Sequence, residues 1–373
     1  MAGRTGMSER RANDAPTLAD VRHRLFTHRW CGAHCMLARA AAEPPRLARV
    51  ITLSVVVPCF DVARHVADTL ASLARNTAPT TEFIFVDDAS RDDTPALLAA
   101  GADGLPGAHV LTLRRNGGLA AARNAGLAVA RGRYLTFLDG DDVIAPGYLD
   151  ALVESIEALG CDFVRTDHVQ VRGRERVLRR VAHHPRGVVA SSRTGIGRAA
   201  QTSSVDAPYA WSGIYARSLL DDGLLHFDED LRTCEDRPWA WRLHLSGRPF
   251  AAVGLHGVRY RREVAGSLTS ARDERQLDFV PAFERIVAMV LADPEAERWL
   301  PKALRSYCAI ACHHLAQLEH FPPPLRRRLR AAVRESFAQL PAGPLAAAAT
   351  GLDPSRATLL REVRAGRTGR AAA

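Results

Sequence analysis

The chain of 373 residues is 47% hydrophobic and 24% charged, the balance of a globular protein able to bury a substantial core. Its formal charge of +9 sits at the ends: residues 1–50 hold nine arginines against four acids and residues 322–373 ten against three, so the middle is slightly acidic and a nucleic-acid-binding core is excluded. No stretch approaches the roughly 18 apolar residues of a membrane span, the N-terminus lacks the apolar segment of a signal peptide, and the seven cysteines show no framework spacing, which together predict a cytoplasmic protein with reduced thiols.

Residues 1–50 read as a basic, poorly ordered extension. Within it "THRWCGAHC" places His28, Cys31, His34 and Cys35 close together, a set able to hold zinc but at a spacing that matches no standard knuckle. The other readings are an unstructured or locally helical segment, or a translated leader upstream of Met36. From Ile51 strand and helix patterns alternate. "ITLSVVVP" is a buried strand, followed by a helix with Val62, Val66, Leu70 and Leu73 on one face. "EFIFVDD" is a second strand, followed by a helix for which Ser90 and Asp93 form a capping-box pattern. "HVLTLRRN" is a third strand, "GLAAARNAGLAVARG" a small-residue helix suited to close packing on a sheet, "RYLTFLD" a fourth strand, "PGYLDALVESIEAL" a helix, and "DFVRTDHVQV" closes the series. This alternation predicts an α/β fold, a mostly parallel sheet with helices on both faces and ligands at the carboxyl ends of the strands.

The unusual polar residues fall at those ends. Strand one finishes at Pro58, Phe60 and Asp61, strand two at Asp87 and Asp88, strand three at Arg114 and Asn116, strand four at Asp139, Gly140, Asp141 and Asp142. Any one pair reads equally well as solvated loop, but four strand ends together define a crevice. Three carboxylates in four positions repel one another and raise each other's pKa, so a cation or a set of hydrogen-bond donors is expected among them. The turn after strand one, "PCFDVA", is no dinucleotide fingerprint, and the chain's single lysine, Lys302, lies far from any phosphate loop.

The motifs "VVVPCFDVARHVADTLASL", "FVDDASRDDT", "NGGLAAARNAGLAVARGRYLTFLDGDD", "WSGIYARSLL", "CEDRPWAWRLHLSG" and "YRREVAGSLTS", in this order between about Ser54 and Ser270, resemble the family 2 glycosyltransferases of the GT-A fold. Phe60 stands where Tyr is usual in that family and Asp61 where Asn is common. The resemblance implies inverting transfer of a hexosyl or related group from a nucleotide sugar, most often UDP-linked, to a hydroxyl of a glycan, a lipid-linked sugar or an envelope polysaccharide precursor. It implies Mg²⁺ or Mn²⁺ on Asp141, Asp139 between metal and ribose, and Asp142 left to hydrogen-bond the turn. Phe60 would stack on the base, Asp88 would accept from the uracil ring N–H, and Arg123 with Asn116 would steady the nucleotide, unless Arg123 only ties its helix down. Asp236 of the Glu235–Asp236 pair would be the catalytic base, both acids otherwise serving the helix N-terminus.

Trp211, Tyr215, Trp239 and Arg242 are expected either in the core or around the sugar and acceptor, and His256 as a structural histidine. Residues 172–210, polar and without strong periodicity, read as a variable connection near the acceptor. The chain thus divides into an extension (1–50), a catalytic domain with a nucleotide half (51–142) and an acceptor half (143–270), and a helical region with a basic tail (271–373). In the tail Leu325, Leu329, Val333 and Phe337 form an apolar stripe beside five arginines, which reads either as a helix packed on the domain or as a basic helix docking peripherally at the inner face of the cell membrane. Two rival functions remain: a non-catalytic assembly partner of the same fold, against which intact Asp141 and Asp236 argue, and a nucleotidyltransferase.

Overall fold

The computed structural model describes residues 50–262 and 271–365. Four short apolar runs form the parallel half of the main sheet: β1 (Leu53–Cys59), β2 (Thr81–Asp87), β3 (Ala108–Thr112) and β4 (Tyr134–Phe137). Every residue of β1, β2 and β4 is buried, as expected of strands covered on both faces. The covering helices are α1 (Val66–Ala74), α2 (Thr94–Asp103), α3 (Leu119–Val129) and α4 (Tyr148–Leu159). The small residues of α3 allow its close approach: a Cβ on Gly126 would lie 2.4 Å from Val56 Cγ1. α2 departs from the expected capping box. Asp92 accepts from the Thr94 N–H at 3.0 Å and from the Ala63 N–H at 3.0 Å, while Ser90 accepts from the Asp61 N–H, so these side chains tie the helix start to the loop after β1.

The expected fifth strand is two strands in two sheets. β6 (Phe163–Thr166) joins the main sheet and β7 (His168–Arg172) leaves it, because Asp167 between them accepts from the Val181 N–H and pairs with Arg186. With β5 (Val143–Ile144), β8 (Glu175–Arg179), β9 (Ala190–Ser191), β10 (Gly213–Ala216), β11 (Pro249–Val253) and β12 (Val258–Arg261), the main sheet runs β3-β2-β1-β4-β10-β6-β11-β9 and a smaller one β5-β12-β7-β8. The polar stretch expected as an irregular connection therefore begins with a β-hairpin, β7–β8, turned at Gly173 with φ 52°.

After α5 (Arg217–Asp221) and α6 (Asp236–Leu245), the C-terminal region is helical: α7 (Phe279–Ala292), α8 (Ala296–Ala316), α9 (Pro323–Ala338), α10 (Ala342–Thr350) and α11 (Pro354–Arg364). Two hydrophobic cores result, one in the sheet domain and one among these helices, and α6 serves both: Trp239 and Leu243 enter the first, Trp241 and Leu245 the second. Leu325, Leu329, Val333 and Phe337 are all buried in the second core, with the Phe337 ring 4.9 Å from Tyr307 and the Tyr307 hydroxyl 2.7 Å from Ser336 Oγ. The membrane-facing expectation for this stripe is thus corrected, since a face spent on packing cannot also enter lipid. Cys308 and Cys312 lie in the same core, as their shared face with Leu304 suggested. Among the described residues no helix is long and apolar enough to cross a membrane.

Candidate active site

The turn after β4 is built on a close approach. The Gly140 N–H donates to the Pro58 carbonyl at 3.1 Å, and a Cβ on Gly140 would sit 2.8 Å from Cys59 Sγ and 2.9 Å from that carbonyl oxygen. Only glycine lets the two strand ends meet there. Asp142 is fully buried and holds the turn from behind: its carboxylate accepts from the Arg261 N–H at 2.7 Å and its carbonyl from Thr69 Oγ1 at 2.7 Å. The turn-holding role expected of Asp142 extends to β12 and α1. Burial first, then Asp141 and Asp139, raise its pKa well above the carboxylate range.

Asp141 faces the crevice, and burial together with Asp139 pushes it up to about 6, against the opposing charge of Arg261. Among the described residues no group of three or more His, Cys, Asp or Glu side chains could hold a metal ion. A cation here would have Asp141 and Asp139 as protein ligands and take its other oxygens from water and substrate. That donor set fits Mg²⁺ or Mn²⁺, which keep several waters and bind through one or two carboxylates plus phosphates. His256 lies apart on an exposed loop, its Nδ1 3.1 Å from the Gly254 carbonyl.

Arg123 occupies the centre. It is 3% exposed, and its guanidinium reaches Asp139 Oδ1 at 3.0 Å through Nη2 and Glu235 Oε1 at 2.9 Å through Nη1, over the Phe227 ring at 5.1 Å. The expected choice between steadying the nucleotide and tying down a helix resolves into a bridge across the crevice. Glu235 is therefore not a helix cap, and its side chain makes no capping bond to α6. Burial and then Asp236 push Glu235 up to about 7, with Arg123 opposing. Asp236, the first residue of α6, differs. Its carboxylate makes no ion pair and no side-chain hydrogen bond to another residue among the described residues; burial first, then Asp139, raise its pKa, while Arg237 and Arg123 pull it down. The pair is presented by Cys234 at φ 60°; Asp61 and Ala89, at φ 51° and 56°, line the nucleotide side of the same crevice.

On the nucleotide side Phe60 is 38% exposed at the mouth, and Asp61 accepts from the Arg91 N–H at 2.7 Å. Asp88 accepts from the N–H groups of Gly117 at 2.6 Å and Gly118 at 2.7 Å and from Asn116 Nδ2 at 2.9 Å, which shapes the loop after β3 and leaves about one lone-pair direction for a ligand. Asn116 in turn accepts from Arg232 Nη1 at 3.4 Å. Arg232 was not anticipated. Nothing in its local sequence marks it, because it reaches the loop only through the fold.

On the acceptor side Trp211 stacks on Tyr209 at 4.8 Å and packs edge-on to His168 at 4.9 Å, with Tyr260 completing an aromatic wall. Arg165, wholly buried, holds the segment through the carbonyls of Tyr209 and Ala207. Tyr209 and Tyr260 were missed as wall residues, although "PYAW" carries two aromatics on one face of an extended segment. Tyr215 and Trp239 are fully buried core residues, and Trp239 donates to the Leu225 carbonyl at 3.1 Å. Arg242 pairs with Asp228 at 3.2 Å. Trp239 and Arg242 thus brace α6 against the segment Leu225–Asp228. The tail of "YRREVAGSLTS", residues 263–270, and the His28, Cys31, His34 and Cys35 cluster lie outside the described residues.

Residues 54–222 match the family described as glycosyl transferase family 2. The succinoglycan biosynthesis protein ExoO of Rhizobium meliloti (strain 1021) is 32% identical over 202 residues, 52% of this chain and 56% of the relative. The uncharacterized glycosyltransferase EpsJ of Bacillus subtilis (strain 168) is 30% identical over 194 residues, 50% of this chain and 54% of the relative. The chain thus spans about half the length of these curated relatives. Among solved structures, Staphylococcus aureus TarS 1-349 in complex with UDP-GlcNAc superposes with a TM-score of 0.64 at 20% identity, covering 86% of this chain and 93% of that one. With this sheet order and these strand-end carboxylates, the chain is similar to the family 2 glycosyltransferases over residues 54–222 and has the GT-A fold.

Proposed function

We propose that the protein transfers a glycosyl group from a nucleoside diphosphate sugar, UDP-linked in the first instance, to a hydroxyl acceptor with inversion and with the help of a divalent cation. The observation that carries this reading is the contrast within one pair of acids. Glu235 is held by Arg123, while Asp236, one residue on, makes no ion pair and no side-chain hydrogen bond to another residue among the described residues. The acceptor hydroxyl attacks the anomeric carbon as the bond to the diphosphate oxygen breaks, and its proton passes to Asp236. A pKa raised by burial makes that carboxylate the stronger base. Asp141 and Asp139 would hold Mg²⁺ or Mn²⁺, which as a Lewis acid neutralises the departing diphosphate. Arg123 keeps Asp139 and the base-bearing segment in register. The UDP-GlcNAc held by the TarS structure supports a UDP-sugar donor, and a name such as succinoglycan biosynthesis supports a polysaccharide acceptor.

The test is release of UDP from a panel of UDP-sugars with Mn²⁺. Asp236→Asn should bind UDP normally and turn over about a hundredfold more slowly or worse. A variant that retains more than about a tenth of kcat moves the base elsewhere. Pyrophosphate released in place of UDP would favour a nucleotidyltransferase.

A further inference from the structure

The middle of the chain is slightly acidic, yet residues 172–180 reverse the sign locally: Arg172, Arg174, Arg176, Arg179 and Arg180 are exposed with Glu175 the one acid among them. Arg174, Arg176, Arg179 and Arg180 make no ion pair among the described residues, and Arg176 spends Nη1 on the carbonyls of Gly173 and Glu175. A solvated face ordinarily mixes signs, since like charges at this density repel. The strand register says where this charge points. His168 pairs directly with Arg179, Gln170 with Val177, and Tyr260 with Gln170, so His168, Arg179 and Tyr260 share one face of the small sheet. Arg179 donates to Gln170 Oε1 at 2.9 Å, and Arg262 donates to the Tyr260 hydroxyl at 3.1 Å with its guanidinium 5.5 Å over that ring. Tyr209 belongs to the same aromatic wall, its ring 5.3 Å from His168, 4.8 Å from Trp211 and 5.8 Å from Tyr260. Arg179 and Arg262 therefore flank one aromatic cluster on this face of the small sheet.

We propose that the acceptor is a polyanionic glycan, and that it lies along the β7–β8 hairpin between Arg179 and Arg262. The proposal rests on the glycosyltransferase reading and adds the acceptor's chemical class. Guanidinium forks match phosphate and carboxylate oxygens two at a time, while the aromatic rings between them offer apolar faces for sugar rings. A glycan is favoured over a bilayer because the two guanidinium groups flank the rings of Tyr209 and Tyr260, which sugar rings can cover.

The full chain with UDP and Mn²⁺ is titrated with three labelled oligomers of matched length: a phosphodiester-linked glycerol phosphate oligomer, an oligogalacturonate and a neutral malto-oligosaccharide. At least one anionic oligomer should bind about tenfold tighter than the neutral one or better, and weaken as salt is raised. Whether phosphate or carboxylate is preferred names the source of the charge. Arg179→Glu/Arg262→Glu should lose about tenfold or more of that affinity, and Arg174→Glu/Arg180→Glu, at exposed positions that tolerate change, should also weaken it, both with UDP affinity and melting temperature at parental values. Equal binding of the neutral oligomer, affinity unmoved by either double variant, or binding to anionic vesicles in place of oligomers would overturn the proposal. Loss of UDP binding in the parent would count against the donor reading, and the oligomer titration without nucleotide would still decide this one.

Discussion

Replacing Arg123 by Met keeps most of the side chain's volume and its contact with Phe227 but removes the charge between Asp139 and Glu235. Hydrogen bonds to charged groups contribute about 1.5–3 kcal/mol each, and stranding a buried partner costs about 3–5 kcal/mol. Two such bonds are lost at 2.9 and 3.0 Å, one to a carboxylate 6% exposed and one to a carboxylate 22% exposed. The second stays partly solvated, so the expected loss is at the lower end, about 3–4 kcal/mol at about pH 8. The pH dependence gives the argument its sign. Arg123 holds the Glu235 pKa down, so its removal raises that pKa further above the unfolded value. The stability withheld by a raised carboxylate is present below the unfolded pKa and lost as pH rises through the folded one, so the penalty is greatest in alkali. At about pH 5 Glu235 is protonated in the variant and the loss should shrink by about 1–2 kcal/mol. Urea unfolding of parent and Arg123→Met at both pH values measures this. Equal losses at the two pH values, or a loss below about 1 kcal/mol at the higher, would refute the bridge as an electrostatic element.

Asp141, pushed up to about 6 from 3.8, destabilises the protein without its cation as pH rises through that value, so Asp141→Asn should raise stability by about 1–2 kcal/mol at about pH 8 and leave it unchanged at about pH 4, while abolishing the thermal shift given by Mn²⁺ with UDP. Gly140→Ala should cost about 1–3 kcal/mol in urea unfolding and lower kcat, because the new methyl group meets Cys59 and Pro58. Leu329→Ala, in the second core, should cost about 2–5 kcal/mol and leave sedimentation with anionic vesicles unchanged.

The strands that feed the crevice were legible because each is a compact apolar run ending in an unusual polar residue, and a parallel sheet puts such ends on one side. Asp139 and Asp141 therefore follow the carboxyl end of β4 and Asp88 that of β2, as expected. The smaller sheet was hidden by the single residue Asp167: "DFVRTDHVQV" has the pattern of one strand, and only the side chain's bonds to Val181 and Arg186 divide it. The role of Arg123 was hidden for another reason. Its partners lie 16 and 112 residues away, so no local pattern distinguishes a helix arginine that ties its own helix from one that spans two halves of a site. The packing of Leu325, Leu329, Val333 and Phe337 could not be read either, since an amphipathic helix looks the same whether lipid or another helix covers its stripe.

The helix that begins at Asp236 is a party wall between two cores, with Trp239 on one side and Trp241 on the other. The rear helices thus set the position of the Glu235–Asp236 segment as much as the strand-end loops do. A lobe of this kind cannot be clipped off or exchanged for a relative's without recutting the wall, and damage far from the strand ends, at Val287 or Leu329, should surface as a displaced Glu235–Asp236 segment before it surfaces as an unfolded chain. Inheritance of the rear lobe should accordingly follow inheritance of the Glu235–Asp236 segment, as two rooms built on one partition must be renovated together.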